Sequence, residues 1–509
     1  MSAQRRILLI NPTITSRRSA RFPLAILSLS ASLAGKHTST IIDGNIDRDF
    51  VSTALRTVCD ENIDAVGVSV MGGPQLPTAI KVSRAIREQS PTTPIIWGGH
   101  FPTICPEPAL NAPYVDYAIR GQGEDTFGEL LDALGADRKD ALASIAGLSW
   151  RRGKEIVHNK NRLFSAASLT SPLPYERLNN VEQYLSKTFL GQRTAGYQAA
   201  LGCRFRCTFC GVAAMFRGKT ALPTAARLER DLAFLKERLG ADAIQFYDHN
   251  FFDREIDMAP LLEVLAKFEL PWWCFARSDA LLNLSDRSWA LVRKSRLRMT
   301  YIGAESPSDW LLHDVRKGTR SDQTLAAVEK CRSHGVVPEL SFMLAPPQDP
   351  EGETEKTFEY IRQIKQLHPR TEIMIYVYTP LPLAPLSLRS EHASGAAARE
   401  APELRDCAGE PVVFPNTADA WAEPQWLSYW CHTDAPWVSA RLRRRIRDFT
   451  TVLGCRFPTA TDIRSPSWGK TALRTLASWR YRYRQYDRPW ELDVSKKIIR
   501  LWDPRVSSL

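Results

Sequence analysis

The sequence predicts an α/β protein: a doubly wound parallel sheet, then a partial (β/α)6 barrel, then a mainly helical extension. Three observations predict this. Over residues 1 to about 135, short apolar runs alternate with amphipathic stretches, as in βαβ units around a parallel sheet. From Tyr197 onward six strand-helix repeats follow one another, the number that makes an incomplete α/β barrel. Past residue 388 the repeats stop, and the composition turns first to Ser, Ala and Glu and then to Trp and Arg. The expected divisions are 1–140 for the first unit, 141–192 for a linker, 193–388 for the barrel and 389–509 for the extension. A chain of 509 residues is long enough for two or three units with full-sized cores.

In the first unit the expected strands are Ile7–Ile10, Thr40–Ile42, Ala65–Val70, Pro94–Trp97 and Val115–Ile119, with helices at Leu24–Ala34, Thr78–Glu88 and Glu124–Leu134. Ligands of such sheets sit beyond the carboxyl ends of the strands, at the topological switch point. Those ends carry Asn11-Pro12, Ser69-Val70-Met71-Gly72-Gly73 and Trp97-Gly98-Gly99-His100. Paired glycines let the backbone approach a bulky ligand closely, although in α/β loops they are as often plain turns.

The stretch Gly147–Arg162 reads as a hairpin turning at Arg152-Gly153-Lys154 and serving as a connector. The barrel strands are expected at Tyr197–Leu201, Ala243–Tyr247, Trp272–Ala276, Met299–Gly303, Glu339–Leu344 and Met374–Tyr378, with helical periodicity clearest over Thr224–Leu239, Ser321–His334 and Glu353–Leu367. Reactive groups of α/β barrels gather at the carboxyl ends of the strands. Here those ends bear Asp248-His249-Asn250-Phe251, Arg277-Ser278-Asp279 and Gly303-Ala304-Glu305-Ser306, and the last two run into Ala345-Pro346-Pro347 and Thr379-Pro380-Leu381-Pro382-Leu383.

The chemistry is declared after the first barrel strand, where Cys203, Cys207 and Cys210 fall within eight residues. Thiolates are soft ligands for zinc or iron-sulfur centres. A structural zinc site needs a fourth ligand, and the other seven cysteines, Cys59, Cys105, Cys274, Cys331, Cys407, Cys431 and Cys455, are scattered singly. Three thiolates on one tight loop can instead hold three corners of a [4Fe–4S] cubane and leave its fourth iron open. No disulfide framework is expected in a chain without a recognisable signal peptide, which reads as cytoplasmic and reduced.

The spacing C-x3-C-x2-C, with Phe209 before the last cysteine, resembles the signature of the radical S-adenosylmethionine (SAM) enzymes. In that family the open iron chelates SAM, which one electron cleaves to a 5′-deoxyadenosyl radical. By the same resemblance Phe209, Asp248, Arg277 and Glu305 are the expected SAM contacts; the residue-level alternative is that Arg277, Asp279 and Glu305 form ion pairs closing the barrel mouth. The first unit resembles the Rossmann-like cobalamin (B12)-binding domain that precedes the barrel in one large class of these enzymes, through Pro23-Leu24, Ile42-Asp43, Gly98-Gly99-His100 and Arg120-Gly121-Gln122-Gly123-Glu124. That resemblance implies cobalamin contacts from Asn11, Ser69, Met71, Gly72, Gly98, Gly99, His100, Gly121 and Glu124. It also implies cobalamin held without an axial histidine, because D-x-H-x-x-G is missing and the loop Pro12–Phe22 has no histidine; His100 is read as a loop residue near the nucleotide tail. The implied cofactors are a [4Fe–4S] cluster, SAM and cobalamin, with a flavodoxin or ferredoxin as reductant.

The activity so implied is methyl transfer from SAM through cobalamin to an unactivated carbon of a small molecule, possessing hydrophobic character if it comes from a bilayer. The nearest enzymatic alternative is an oxidative cyclase or hydroxylase resembling the anaerobic magnesium-protoporphyrin ester cyclase. A non-catalytic cobalamin sensor or scaffold is the alternative of another class, and the intact cysteine triplet argues against it. No residue is singled out as an acid or base catalyst.

Charge placement excludes a generic nucleic-acid groove. From Arg441 to Leu509, 17 Lys and Arg face 6 Asp and Glu, an excess of 11 that equals the net charge of the whole chain. Between Trp421 and Trp502 lie 8 of the 14 tryptophans, interleaved with arginines as in Trp479-Arg480-Tyr481-Arg482. Such a segment can pack as a small core with guanidinium heads in water, or rest on anionic lipid at the inner face of a membrane. The expectation for the second case is a helical cap beside the barrel mouth, with Arg441–Arg447 and Trp479–Arg484 exposing basic faces.

Overall fold

The computed structural model describes residues 4–135, 139–166, 172–382, 404–459 and 468–495. The first sheet has seven strands: β1 (Arg6–Asn11), β2 (Thr38–Asp43), β3 (Ala65–Ser69), β4 (Ile95–Gly98), β5 (Tyr117–Ile119), β6 (Leu148–Arg152) and β7 (Glu155–His158), in the order β2-β1-β3-β4-β5-β6-β7. The first five are parallel, and the reversal of strand order falls between β1 and β3. Ile7, Leu8, Leu9 and Ile10 are all buried, as the central strand of a sheet covered on both faces requires. All five expected strands are present. Helix Phe50–Asp60 fills the βαβ crossover between β2 and β3, and His100–Ile104 and Pro106–Leu110 are further short helices; these two are about one turn each with internal prolines, too short for periodicity to register. The hairpin is β6–β7, but it is no free connector: β6 pairs antiparallel with β5 and extends the first sheet.

The second sheet is β8 (Thr194–Tyr197), β11 (Ala243–Phe246), β12 (Trp272–Ala276), β13 (Leu297–Glu305), β14 (Val337–Leu344) and β15 (Glu372–Val377), all parallel and in sequence order. That is the open six-stranded barrel expected. One strand differs. The run Tyr197–Leu201 splits, because β8 ends at Tyr197 while β9 (Leu201–Gly202) pairs antiparallel with β10 (Thr220–Ala221). Gly202, at φ +78°, has the Lys219 carbonyl where a side chain would stand, so the chain can fold back here only through glycine. The cysteines lie inside the small loop that β9 and β10 close.

Helices Ala418–Trp421, Pro424–Trp430, Ala440–Arg456 and Trp468–Arg482 form the extension. It straddles both units. Asp419 pairs with Arg84 at 2.6 Å and accepts the Tyr114 hydroxyl at 2.9 Å on the first. On the barrel, Phe449 stacks on Phe358 with ring centroids 3.7 Å apart, and the Trp437 indole N–H donates to the Ala345 carbonyl at 2.9 Å. The expected basic faces are largely consumed internally: Arg443 pairs with Asp434, Arg445 with Glu355 and Asp487, Arg447 with Asp448, Arg480 with Glu491 and Arg484 with Glu359. Trp421 and Trp437 are core residues. The Ser/Ala/Glu-rich stretch Arg389–Arg405 falls mostly outside the described residues, as do Leu383 and the chain from 496 to 509. Among the described residues no helix is long and apolar enough to cross a membrane.

Candidate functional site

Cys203, Cys207 and Cys210 line one cavity of about 410 Å³ at the carboxyl end of the second sheet. Burial pushes the Cys210 thiol up to about 11 and the Cys203 thiol in the same direction, so both are neutral thiols until a cation compensates the thiolate. Three thiolates carried on one loop into one cavity are a donor set that fits three corners of a [4Fe–4S] cluster.

The SAM residues expected from sequence divide. Phe209, Arg277 and Glu305 line the cavity and Asp248 does not. Asp248 is 2% exposed and accepts the Ala199 amide N–H at 2.7 Å, tying β11 to the chain leaving β8; desolvation pushes its carboxyl up to about 7. Two residues on, Asn250 does line the cavity, is 6% exposed, and has neither its amide nitrogen nor its oxygen partnered by protein. A buried amide with both atoms unpaired is costly unless a ligand completes it. Asn250 is therefore the better candidate for SAM at this strand end. The signal was legible in Asp248-His249-Asn250-Phe251, but which of three polar side chains faces inward is a matter of local backbone geometry.

Arg277 is held by Asp279 through two bonds of 3.0 Å, donates to the Lys317 carbonyl at 2.7 Å, and lies 3.6 Å over the Phe205 ring. Glu305 adopts φ +62° at a register break between Gly303 and Glu305, and pairs with Lys317 at 2.7 Å with both side chains buried. A left-handed non-glycine residue is costly in backbone energy and marks an over-determined position. Ion pairing and cavity lining thus coexist in the same residues. Thr379, at the strand end named from sequence, lines the cavity, and so do Lys317, Tyr301, Ser341, Tyr376 and His432, which were missed, since no motif sets them apart. Burial pushes His249 down to about 4 and lowers His432 too, so both are neutral imidazoles near pH 7.

The first unit meets the cysteine loop directly. His100, expected in a loop, opens the helix His100–Ile104; its ring fills the space where a side chain at Gly211, next to Cys210, would stand, and its Nδ1 is 3.2 Å from the Met71 carbonyl. Several expected cobalamin contacts already have protein partners. Asn11 donates to Asp43 at 2.9 Å and accepts from Gln75 at 3.1 Å; the Gly121 amide donates to Thr103 at 2.9 Å, and Glu124 accepts the Ser28 hydroxyl at 2.6 Å. A side chain at Gly99 would begin 3.1 Å from the Val70 carbonyl oxygen, and the space over Gly72 is filled by the Trp430 indole. The edge that stays open is Ser69, Met71 and Gly98: Met71 is 55% exposed and nothing approaches the vacant face of Gly98 closer than Ile119 at 3.9 Å. It runs from the end of β3, one of the two strands flanking the switch point where a sheet of this order binds its ligand, to the end of β4, and an open, weakly polar edge beside the cysteine loop fits a large corrin ring.

Comparison with known proteins points to the same two-unit fold. Residues 11–131 match the B12 binding domain family and residues 197–361 the Radical SAM superfamily. An uncharacterized methyltransferase of Pyrococcus horikoshii is 24% identical over 348 residues, 67% of this chain and 73% of the relative. The anaerobic magnesium-protoporphyrin IX monomethyl ester cyclase of Synechocystis sp. is 22% identical over 392 residues, 74% of this chain and 75% of the relative. Among solved structures, the radical SAM methyltransferase TsrM from Kitasatospora setae, with cobalamin and a [4Fe–4S] cluster bound, superposes with TM-score 0.60 at 15% identity, covering 94% of this chain and 99% of that one. The cobalamin-dependent radical SAM enzyme OxsB gives TM-score 0.59 at 18% identity, covering 70% of this chain and 52% of that one. The chain carries a B12-binding domain over residues 11–131 ahead of a radical SAM domain over residues 197–361.

Proposed function

We propose that the protein transfers a methyl group from SAM, by way of cobalamin, to an unactivated carbon of a small and largely uncharged molecule. When bound, the cluster and SAM supply a carbon radical and cobalamin supplies a transferable methyl group. The chain's own contribution is positional. Cys203, Cys207 and Cys210 hold the cluster, Asn250 and the Arg277 and Glu305 pairs orient SAM, and Ser69, Met71 and Gly98 receive the corrin. The observation that carries the reading is the contact of His100 with Gly211, which sets the sheet edge suited to cobalamin against the cysteine loop.

The substrate class follows from the rest of the lining. Arg277, Glu305 and Lys317 are occupied with one another and with Asp279, leaving Phe275, Tyr301, Ser341 and Tyr376 as uncharged surface. The cavity of about 410 Å³ must also receive the cluster and SAM, and the whole of it is at the lower end of the roughly 300–1,000 Å³ usual for one drug-sized ligand, which favours a small reacting group over a buried tetrapyrrole. Incubating reconstituted protein with methyl-deuterated SAM and cell extract should place the label in a new small molecule, with S-adenosylhomocysteine and 5′-deoxyadenosine both formed in a substrate-dependent way. Turnover without S-adenosylhomocysteine would favour the oxidative cyclase instead.

Two partners complete the proposal. A flavodoxin- or ferredoxin-type donor supplies the electron. An anionic membrane surface presents substrate to the exposed stripe Leu476, Trp479 and Tyr483, with Trp490 beside it in sequence, a stripe of aromatic residues suited to headgroup depth. Liposome flotation should show binding that needs anionic lipid and weakens with salt; equal recovery with neutral vesicles would remove the membrane from the proposal.

A further inference from the structure

Four consecutive residues of the extension touch both cofactor-binding units. Tyr429 is buried and its hydroxyl donates to the Pro380 carbonyl after β15. Trp430 covers Gly72, whose missing side chain leaves the room it occupies, and the Cys431 sulfur stands 3.3 Å from where a side chain at Gly73 would begin. His432 then returns to the barrel: its carbonyl accepts the Val377 amide N–H at 2.7 Å, its Nδ1 meets the Thr379 hydroxyl, and its ring lines the cysteine cavity. The turn that makes this crossing possible puts His432 at φ +55°. A non-glycine residue persists there only where its surroundings over-determine it, and here the Val377 and Tyr429 backbone bonds do so.

Trp430 is fixed rather than plugging a hole temporarily. Its ring is tilted on Phe101 at 5.3 Å and meets Trp421 edge-on at 5.4 Å and His100 edge-on at 5.7 Å. It remains only partly buried, over Gly72, which directly follows the exposed Met71 in the chain. A rigid indole offers an apolar face and one N–H donor, a chemistry matched to a corrin ring, which is broad, mostly hydrocarbon and rimmed by amides.

We propose that Tyr429–His432 is the positioning element of the cobalamin site: Trp430 forms one wall of the corrin compartment while its neighbours rivet that wall to the barrel, so the extension sets the gap between cobalamin and the radical cavity. This rests on the cobalamin reading above. The test uses the full-length chain with its cluster reconstituted and hydroxocobalamin as probe, measured by equilibrium dialysis and visible absorbance. Trp430→Ala should bind hydroxocobalamin at least about tenfold more weakly, the scale of loss typical of a buried aromatic anchor, whereas Trp430→Phe should stay near the parent. Trp430→Leu, which stays apolar but removes the flat ring, should retain iron and sulfide content yet lose affinity and shift the visible spectrum of bound cobalamin. Tight binding by the parent with equal binding by Trp430→Ala and Trp430→Leu overturns this inference alone. Failure of the parent to bind hydroxocobalamin overturns the cobalamin reading and this inference with it.

Discussion

Replacing Lys317 by Met separates the two roles that Glu305 can play. Glu305 and Lys317 are buried and 2.7 Å apart. At an effective dielectric of 20 two unit charges at that distance attract by about 6 kcal/mol, while desolvation costs several kcal/mol for each ion. The two terms nearly cancel, so removing both charges should be close to neutral. Removing one should not. Lys317→Met leaves the Glu305 carboxylate buried and unpaired, at a cost of about 3–5 kcal/mol, and at about 2–4 °C per kcal/mol for a domain of this size the thermal midpoint should fall by roughly 6–20 °C. The double variant Glu305→Gln/Lys317→Met should recover most of that loss and still fail to bind SAM. Differential scanning calorimetry of the cluster-free chain gives the midpoints, and equilibrium dialysis with labelled SAM on the reconstituted chain gives binding. A single variant as stable as the double would refute the buried pair. A stable double variant that binds SAM normally would show that Glu305 only closes the barrel mouth.

The cluster assignment predicts that Cys207→Ala, anaerobically reconstituted and reduced, forms no 5′-deoxyadenosine; parent-rate formation would overturn it. Asp248 carries a pH signature. Its carboxyl is raised to about 7 from a usual 3.8, so between those values the folded chain holds a proton that the unfolded chain has released, and stability falls as pH rises through that window and levels off above it. Asp248→Asn keeps an acceptor for the Ala199 amide and should be more stable than the parent at pH 8, with the advantage shrinking toward pH 4; parallel denaturation curves across that range would exclude this. Gly211→Ala places a methyl group in the His100 ring. It should lower the thermal midpoint and cluster yield, and His100→Ala in the same chain should restore both; no rescue would mean the contact is not what separates the variants.

The sequence by itself determined what is local. Ile7–Ile10 and the other apolar runs make strands because their side chains must leave water and their length fits a sheet, and the spacing of Cys203, Cys207 and Cys210 keeps those three thiols on one short loop. It could not decide inward from outward at Asp248 and Asn250, because two residues apart after a strand the backbone no longer keeps a fixed period. Nor could it find Lys317, twelve residues beyond Glu305 across a helix, or foresee that the Arg-rich extension would spend its guanidinium groups on Glu355, Glu359 and Glu491. The glycines at 72 and 211 look like ordinary turn formers until Trp430 and His100 are seen filling their empty faces. Contacts between residues more than a hundred positions apart are fixed by how the two sheets and the extension dock, and that docking is the sum of many small packing terms with no short sequence signature.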